Sequence, residues 1–451
     1  MYKYFIDKTK TKQIRQTKKP KTRKQLNIKH HNTHTTHSTH SYNTKNYHSR
    51  IYSKLNGGKY IDKGAFGCVI TPALPCSSIS KQDPDLSKSV SKIFKKSEDD
   101  TLTNEIKISK ILQQIDPAHI YFVFLSKFCY INKIPNDRTD IVSGEYNETL
   151  TKFTNDKYYN SIKLDKSYCE VDLNMKPVNF IIPYAGISLG TIMKYRHYIK
   201  DYNEPNSNTR TSLNIKKTMH TMFINNLKIY FKHLLIGLSK LHSHRVVNRD
   251  IKQKNIIIQY IQNNNAEMKD TMYVRYIDFG LSMSLTSNLC SDINNITLEG
   301  TYSKMPPELF ICSVLKKYRD HSQSYQVKKI ANYINTNVKK MFTDIAETNI
   351  LNELDSNVIS LHKKIESLFD TNNILFAYFG SDAKKYNGYL QKTDIYALGL
   401  TIFETLYIYS KINIKTDTQY KLLYDLLLNM ISIEPDKRFN VIQCISHAYF
   451  Q

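Results

Sequence analysis

The sequence predicts an α+β protein built as two lobes. Residues 59–184 carry short apolar or alternating runs, the period of strands. After Leu189 the apolar residues recur at helical spacing. A strand-rich half followed by a helix-rich half is an α+β pattern. The 451 residues suffice for two or three domains, or for one large bilobal unit with extensions, and 41 % hydrophobic residues provide for a sizeable core.

In chain order, residues 1–55 are expected to form a basic disordered tail. Residues 1–54 hold 14 Lys and Arg against the single acid Asp7, which is +13 of the net +24. Such a segment buries too little apolar surface to offset its ordering entropy. Strand-like runs follow at 60–61, 68–70, 90–94, 119–130 and 178–184, broken by one helix-like segment around 102–115. Residues 223–242 predict a strong amphipathic helix, with Leu227, Tyr230, Phe231, Leu234, Leu235 and Leu238 on one side. Three stretches read as insertions. Residues 133–175 are polar, 202–217 are rich in Asn and Ser, and about 313–385 carry helical periodicity that predicts an extra helical unit.

Within the tail, Lys18-Lys19-Pro20-Lys21-Thr22-Arg23-Lys24 suits a polyanion, a nucleic acid or nuclear import, and equally a solvated basic tail. His31, His34, His37 and His40 recur every third residue without a second ligand pair, so adventitious metal binding or none is expected. Seven scattered cysteines form no C-x-x-C and fit reduced thiols better than a disulfide framework. No apolar run reaches membrane-spanning length, and the charged N-terminus predicts no secretory signal. These features together point to an intracellular protein, cytoplasmic or nuclear. Trp is absent while Tyr reaches 33, and the abundance of Lys, Asn, Ile and Tyr follows AT-rich codons before function.

Chemistry enters at Val247-Asn248-Arg249-Asp250-Ile251-Lys252-Gln253-Lys254-Asn255-Ile256, followed by Asp278-Phe279-Gly280. Asp250 can accept the proton of a hydroxyl nucleophile, while Asn255 and Asp278 can hold magnesium against ATP phosphates. The pair resembles the catalytic and magnesium loops of eukaryotic-type protein kinases. Further elements in the expected order resemble the same family. Ile61-Asp62-Lys63-Gly64-Ala65-Phe66-Gly67-Cys68-Val69 is similar to the glycine-rich loop, with Asp62 in place of its first glycine. Phe180-Ile181-Ile182-Pro183-Tyr184-Ala185-Gly186 is similar to the last strand and hinge of the small lobe, and Gly300-Thr301 with Pro306-Pro307-Glu308 to the substrate-docking and Ala-Pro-Glu elements. Asp394-Ile395-Tyr396-Ala397-Leu398-Gly399 resembles the helix that anchors the catalytic loop, and Arg438 the late arginine that pairs with Glu308.

The resemblance implies a bilobal protein-kinase fold, with a small strand-rich N-lobe at 56–184 and a larger helical C-lobe at 185–451 that holds the insertion. It implies ATP contacts at Ile61, Gly64, Ala65, Phe66, Gly67 and Val69, and at Ile182 and Ala185 beside the adenine. Lys92 would bind the α- and β-phosphates and pair with Glu105, with Lys88 and Lys95 as rival lysines. Asp250 would be the catalytic base, Lys252 would neutralise the transferring phosphate, and Asn255 and Asp278 would bind Mg2+, with Mn2+ as a substitute. Arg249 would receive a phosphorylated residue, with Thr286, Ser287, Ser291 and Thr297 as candidates. Lys252 and Thr301 resemble Ser/Thr rather than Tyr kinases, and Asn248 stands where the family has His. Protein substrates with Ser or Thr acceptors follow. The composition resembles kinases of large DNA viruses, which adds a virion-associated location. The rival readings are a pseudokinase scaffold, motivated by Asp62, Val90 and Asn248, and a protein led by a polyanion-binding tail.

Overall fold

Alternation along the strands sets the first sheet. The structure, a computed structural model, describes residues 59–63, 67–71, 73, 84–94, 100–130, 178–194, 207–261, 270–286, 306, 309–311, 314, 317, 321–333, 383–410, 412 and 418–451. The tail at 1–55, its histidines and basic cluster, and the insertion at 133–175 lie outside them. The strands β1 (Lys59–Lys63), β2 (Gly67–Thr71), β3 (Ser89–Phe94), β4 (Lys127–Tyr130) and β5 (Val178–Pro183) form one antiparallel sheet in the order β1-β2-β3-β5-β4. The register sets Val69 opposite Lys92, Lys92 opposite Phe180, and Val90 opposite Ile182. Cross-strand partners share a face, so these side chains line one side of the sheet together with Phe94. That face packs on α2 (Asp100–Ile115), where Leu102 and Ile106 meet Phe94, Val178 and Phe180. The opposite face puts Ile181 against Leu86 of α1 (Pro84–Ser87).

Cys68 and Cys129 are disulfide-bonded, which corrects the expectation of reduced thiols. They do not bond each other. The register runs Cys68–Ile93–Asn179–Cys129 across four strands. Three strand spacings of about 4.8 Å separate them, more than twice the usual Cα reach of a disulfide. The absence of C-x-x-C says nothing about cysteines paired at other spacings. Cys444 is free and buried.

The chain leaves β5 through Gly186, whose φ is +105°; a Cβ there would lie 2.1 Å from the Ile258 carbonyl oxygen. Only glycine permits this approach, which brings β6 (Ile187–Ser188) onto β8 (Ile256–Ile261). β9 (Thr271–Tyr276) completes that three-stranded sheet, and β7 (Val246–Val247) pairs with β10 (Met283–Ser284). The helices are α3 (Leu189–Met193), α4 (Ser207–Asn225), α5 (Leu227–Ser243), α6 (Gln323–Tyr333), α7 (Ala383–Glu404), α8 (Lys421–Met430) and α9 (Val441–Ile445). One large core joins them, and α7 is buried on every side from Thr393 to Phe403. This mixed strand and helix content is that of an α+β fold. No helix among the described residues is long and apolar enough to cross a membrane.

Three expectations at element level need correction. Only Lys127–Tyr130 of 119–130 is a strand; the Asp116 carboxylate accepts from the N–H groups of Ile120, Tyr121 and Phe122 and turns the preceding residues into an anchored loop. The helix expected at 223–242 begins at Leu227, because the chain breaks at Asn226, whose side chain donates back to Met222 O at 2.9 Å. Phe223 belongs to α4, which also takes up 207–217 of the expected insertion. Of the insertion at about 313–385, α6 is helical, 383–385 open α7, and 334–382 lie outside the described residues.

Two glycines should respond oppositely to the same change. Gly186→Ala is expected to cost more than about 2 kcal/mol, from the positive φ and the backbone clash. Gly388→Ala, inside α7 with open space at its Cβ, should stabilise by about 0.5–1 kcal/mol. Urea denaturation of the two variants reads both signs, and a stable Gly186→Ala protein would contradict the close approach.

Candidate active site

Lys92 projects from the middle of β3 on the face that meets α2. Its Nζ donates to Glu105 Oε2 at 2.7 Å and to Asp278 Oδ1 at 2.8 Å. The strand and the helix thereby reach the loop after β9. Lys88 is exposed and its backbone carbonyl takes the Tyr184 N–H, while Lys95 lies outside the described residues. Glu105 is buried on α2. Burial alone would push the Lys92 ammonium down, but the carboxylates of Asp278 and Glu105 outweigh it and hold the lysine well above its ordinary value. Enclosure would likewise raise the Asp278 carboxyl. Lys92, with help from Lys252, holds it below the usual carboxylate range. Its side chain still keeps 41 % of its surface accessible.

The segment that carries Asp250 is held from behind. Asp394 in α7 accepts from the N–H groups of Asn248 and Arg249, both at 2.8 Å, and from His242 Nε2 at 3.1 Å. Gln253 adds a bond to Thr405 Oγ1 at 3.3 Å. Asn248 Oδ1 accepts from the Asp250 N–H at 3.0 Å, so the residue found in place of the family's histidine serves as a local turn acceptor. Arg249 adopts a left-handed φ of 68° and is buried, with Nη1 3.9 Å from Met283 Sδ.

Asp250 accepts from Lys252 Nζ at 2.7 and 2.8 Å and from Asn255 Nδ2 at 2.7 Å. Burial pushes its carboxyl up, against the opposing pull of Lys252; nearby Asp278 pushes the same way as burial. The two aspartates are thus close enough to sense each other. Asp278 has a φ of 63°, a conformation non-glycine residues rarely adopt, and Phe279 beside it is buried edge-on against Phe122 at 5.8 Å. The Ile277 N–H bonds Asn255 O at 3.0 Å, which ties the two loops together.

The remaining expected contacts divide. Val69 and Ile182 lie half-buried on the Lys92 face, and Ala185 is buried just after β5. Gly67 pairs with Phe94, and Ile61 falls where the β1–β2 register shifts. Gly64, Ala65, Phe66, Thr301 and Glu308 lie outside the described residues, as do Ser287, Ser291 and Thr297. Arg438 is buried; its guanidinium donates to the carbonyls of Ser432, Ile433 and Lys392 and stacks 4.8 Å over Tyr396. Thr286 is exposed.

Residues 194–327 match the family model of the protein kinase domain. The match supports a protein kinase family. It spans Asp250, Lys252, Asn255 and Asp278, while Lys92, Glu105 and Asp394 lie outside it. Kinase domains in general use ATP with a divalent metal and act on proteins. The donor set agrees with such use. Among the described residues no three His, Cys, Asp or Glu side chains gather into a closed metal cage. Asp278 offers a carboxylate, and Asn255, with its amide nitrogen committed to Asp250, offers the amide oxygen. One carboxylate and one amide suit a magnesium ion that keeps waters and phosphate oxygens as its other ligands.

Sequence reasoning missed several supporting groups. Asn104 donates from α2 to Gly280 O, at 2.9 Å, and to Ser282 O. His242 bonds Asp394 within the anchor helix, and Gln253 bonds Thr405 just past its end. None belongs to a motif with a readable spacing, since each acts through a partner more than 140 residues away.

The charge pattern makes a signed prediction. Lys252 is the cation that opposes the upward shift of Asp250, so Lys252→Met should move the Asp250 carboxyl further up. Carbon-detected NMR titration of that carboxyl measures it, and an unchanged or lowered value would contradict the pairing.

Proposed function

We propose that the protein is an ATP- and Mg2+-dependent serine/threonine protein kinase. The observation that carries this reading is that two bonded clusters, Lys92 with Glu105 and Asp278, and Asp250 with Lys252 and Asn255, are joined through the Asp278 and Asp250 loops, which the Ile277 N–H to Asn255 O bond ties to each other. Few tasks other than phosphoryl transfer need a cation tied to a carboxylate beside a second carboxylate raised towards working pH. Asp250 would accept the proton of a Ser or Thr hydroxyl within hydrogen-bond reach. Lys252 would neutralise charge on the transferring phosphoryl group, and Lys92 would hold the α- and β-phosphates. Magnesium would bridge phosphate oxygens and neutralise their charge. Val69 and Ile182 would flank the adenine, and Ile61, Gly64, Ala65, Phe66, Gly67 and Ala185 are proposed as further ATP contacts.

A scaffold without catalysis is the second reading, motivated by Asp62, Val90 and Asn248. Asn248 loses weight as a motive because its side chain satisfies the Asp250 N–H. The tail at 1–55 is proposed as an accessory that binds polyanions. An intracellular location, cytoplasmic or nuclear, or association with a virion, is proposed with the kinase reading. The disulfides at Cys68 and Cys129 remove the thiol argument for a reducing compartment.

Radiolabelled γ-phosphate transfer from ATP·Mg to a mixed protein panel tests the proposal. Label is expected on Ser or Thr, with Asp250→Asn lowering the rate by about 10²–10⁴-fold. ATP-dependent thermal stabilisation without transfer to any protein, including the chain itself, would favour the scaffold.

A further inference from the structure

The loop that carries Asp278 is held at both ends by side-chain donors aimed at its backbone carbonyls. At the near end, Asn104 sits one residue before Glu105 on α2. Its amide nitrogen has two hydrogens, and both find acceptors, Gly280 O at 2.9 Å and Ser282 O. At the far end, three donors meet on one oxygen. Arg245 Nη2 reaches Thr286 O at 2.7 Å, Tyr386 Oη at 2.9 Å and Asn387 Nδ2 at 3.4 Å. The Leu285 N–H also bonds Arg245 O at 2.7 Å. Tyr386 and Asn387 belong to the part of α7 that precedes Asp394, so this helix grips the loop at Thr286 as well as the Asp250 segment.

A left-handed aspartate such as Asp278 persists only where its surroundings over-determine it. The two clusters of donors supply that constraint, and they use uncharged or backbone-directed bonds that a partner protein or phosphate need not provide. We infer that Asn104, with Arg245 and Tyr386, is a positioning residue that holds loop 278–286 in its metal-binding conformation. The role as a metal-binding loop rests on the proposed kinase function; the constraint on the loop does not.

The test compares the full chain with Asn104→Ala, Asn104→Asp and Tyr386→Phe. Asn104→Asp keeps the shape and loses both N–H donors, so it separates hydrogen bonding from packing. Hydrogen exchange of the peptide covering 278–286, without ligand, is expected to quicken about tenfold in Asn104→Ala and more in Asn104→Asp, the factor given by loss of a hydrogen bond of ordinary strength. Tyr386→Phe should quicken it about threefold, as one donor of three is lost. Exchange in β8 should stay as in the wild type. The Mg2+ concentration that half-saturates ATP binding should rise in the same order, with metal-free nucleotide affinity unchanged. Exchange of 278–286 within twofold of wild type in both Asn104 variants would overturn the inference, and so would equal acceleration in β8. A wild-type chain with a protected loop but no phosphoryl transfer would defeat the kinase reading and leave this inference standing.

Discussion

The carboxylate of Asp394 is fully buried in α7, and both of its oxygens are taken by main-chain N–H groups of the segment that leads to Asp250. A carboxylate out of water is costly unless donors replace its lost hydration. Here the replacements are the Asn248 and Arg249 amides and the His242 ring. The cost is offset only when the chain presents two successive N–H groups to one point, and the left-handed Arg249 then redirects the chain that follows toward Asp250. Every later placement follows from this. The Asn248 turn sets Asp250, Asp250 orients Lys252 and Asn255, and Asn255 O holds the strand end before Asp278.

The site in front of that anchor works by keeping two neighbouring carboxylates chemically different. Lys92 holds the Asp278 carboxyl down, the direction its proposed role as a metal ligand calls for. Burial holds Asp250 up, in the direction a general base requires. The signs of their stability effects differ too. Asp278, lowered on folding, contributes stability above its unfolded value and loses it as pH falls through the folded one. Lys92, raised on folding, contributes below its unfolded value and loses it as pH climbs through the folded one. The pair therefore supports the fold across the neutral range. Asp250, raised on folding, contributes fully below its unfolded value and loses that contribution as pH climbs through the folded one.

Much of this was legible in the sequence for identifiable reasons. Lys92 is set apart from its neighbouring lysines by the apolar residue that follows it and by the strand period, and it lies within β3 opposite Phe180. The contact of Asp394 with the backbone before Asp250 followed from the resemblance of the Asp394–Gly399 stretch to an anchoring helix. What escaped depends on distance and on backbone. The disulfide bonding of Cys68 and Cys129 is announced by no C-x-x-C in the sequence. The residues before Lys127 are apolar enough to look like strand, yet one carboxylate, Asp116, gathers three amides and bends them into a loop. Asn226 divides what periodicity alone joins into one helix. Asn104 carries no signal in the sequence, because its acceptors are carbonyls, which have no residue identity.

A crystal structure of the chain with a non-hydrolysable ATP analogue and Mn2+, read by anomalous scattering, tests the proposed site most directly. Metal is expected at coordination distance, about 2.1 Å, from the Asp278 carboxylate and the Asn255 amide oxygen. Lys92 is expected on the phosphates, with Asp250 facing the terminal one. Nucleotide bound without metal at these groups, or metal held elsewhere in the molecule, would contradict the proposed site.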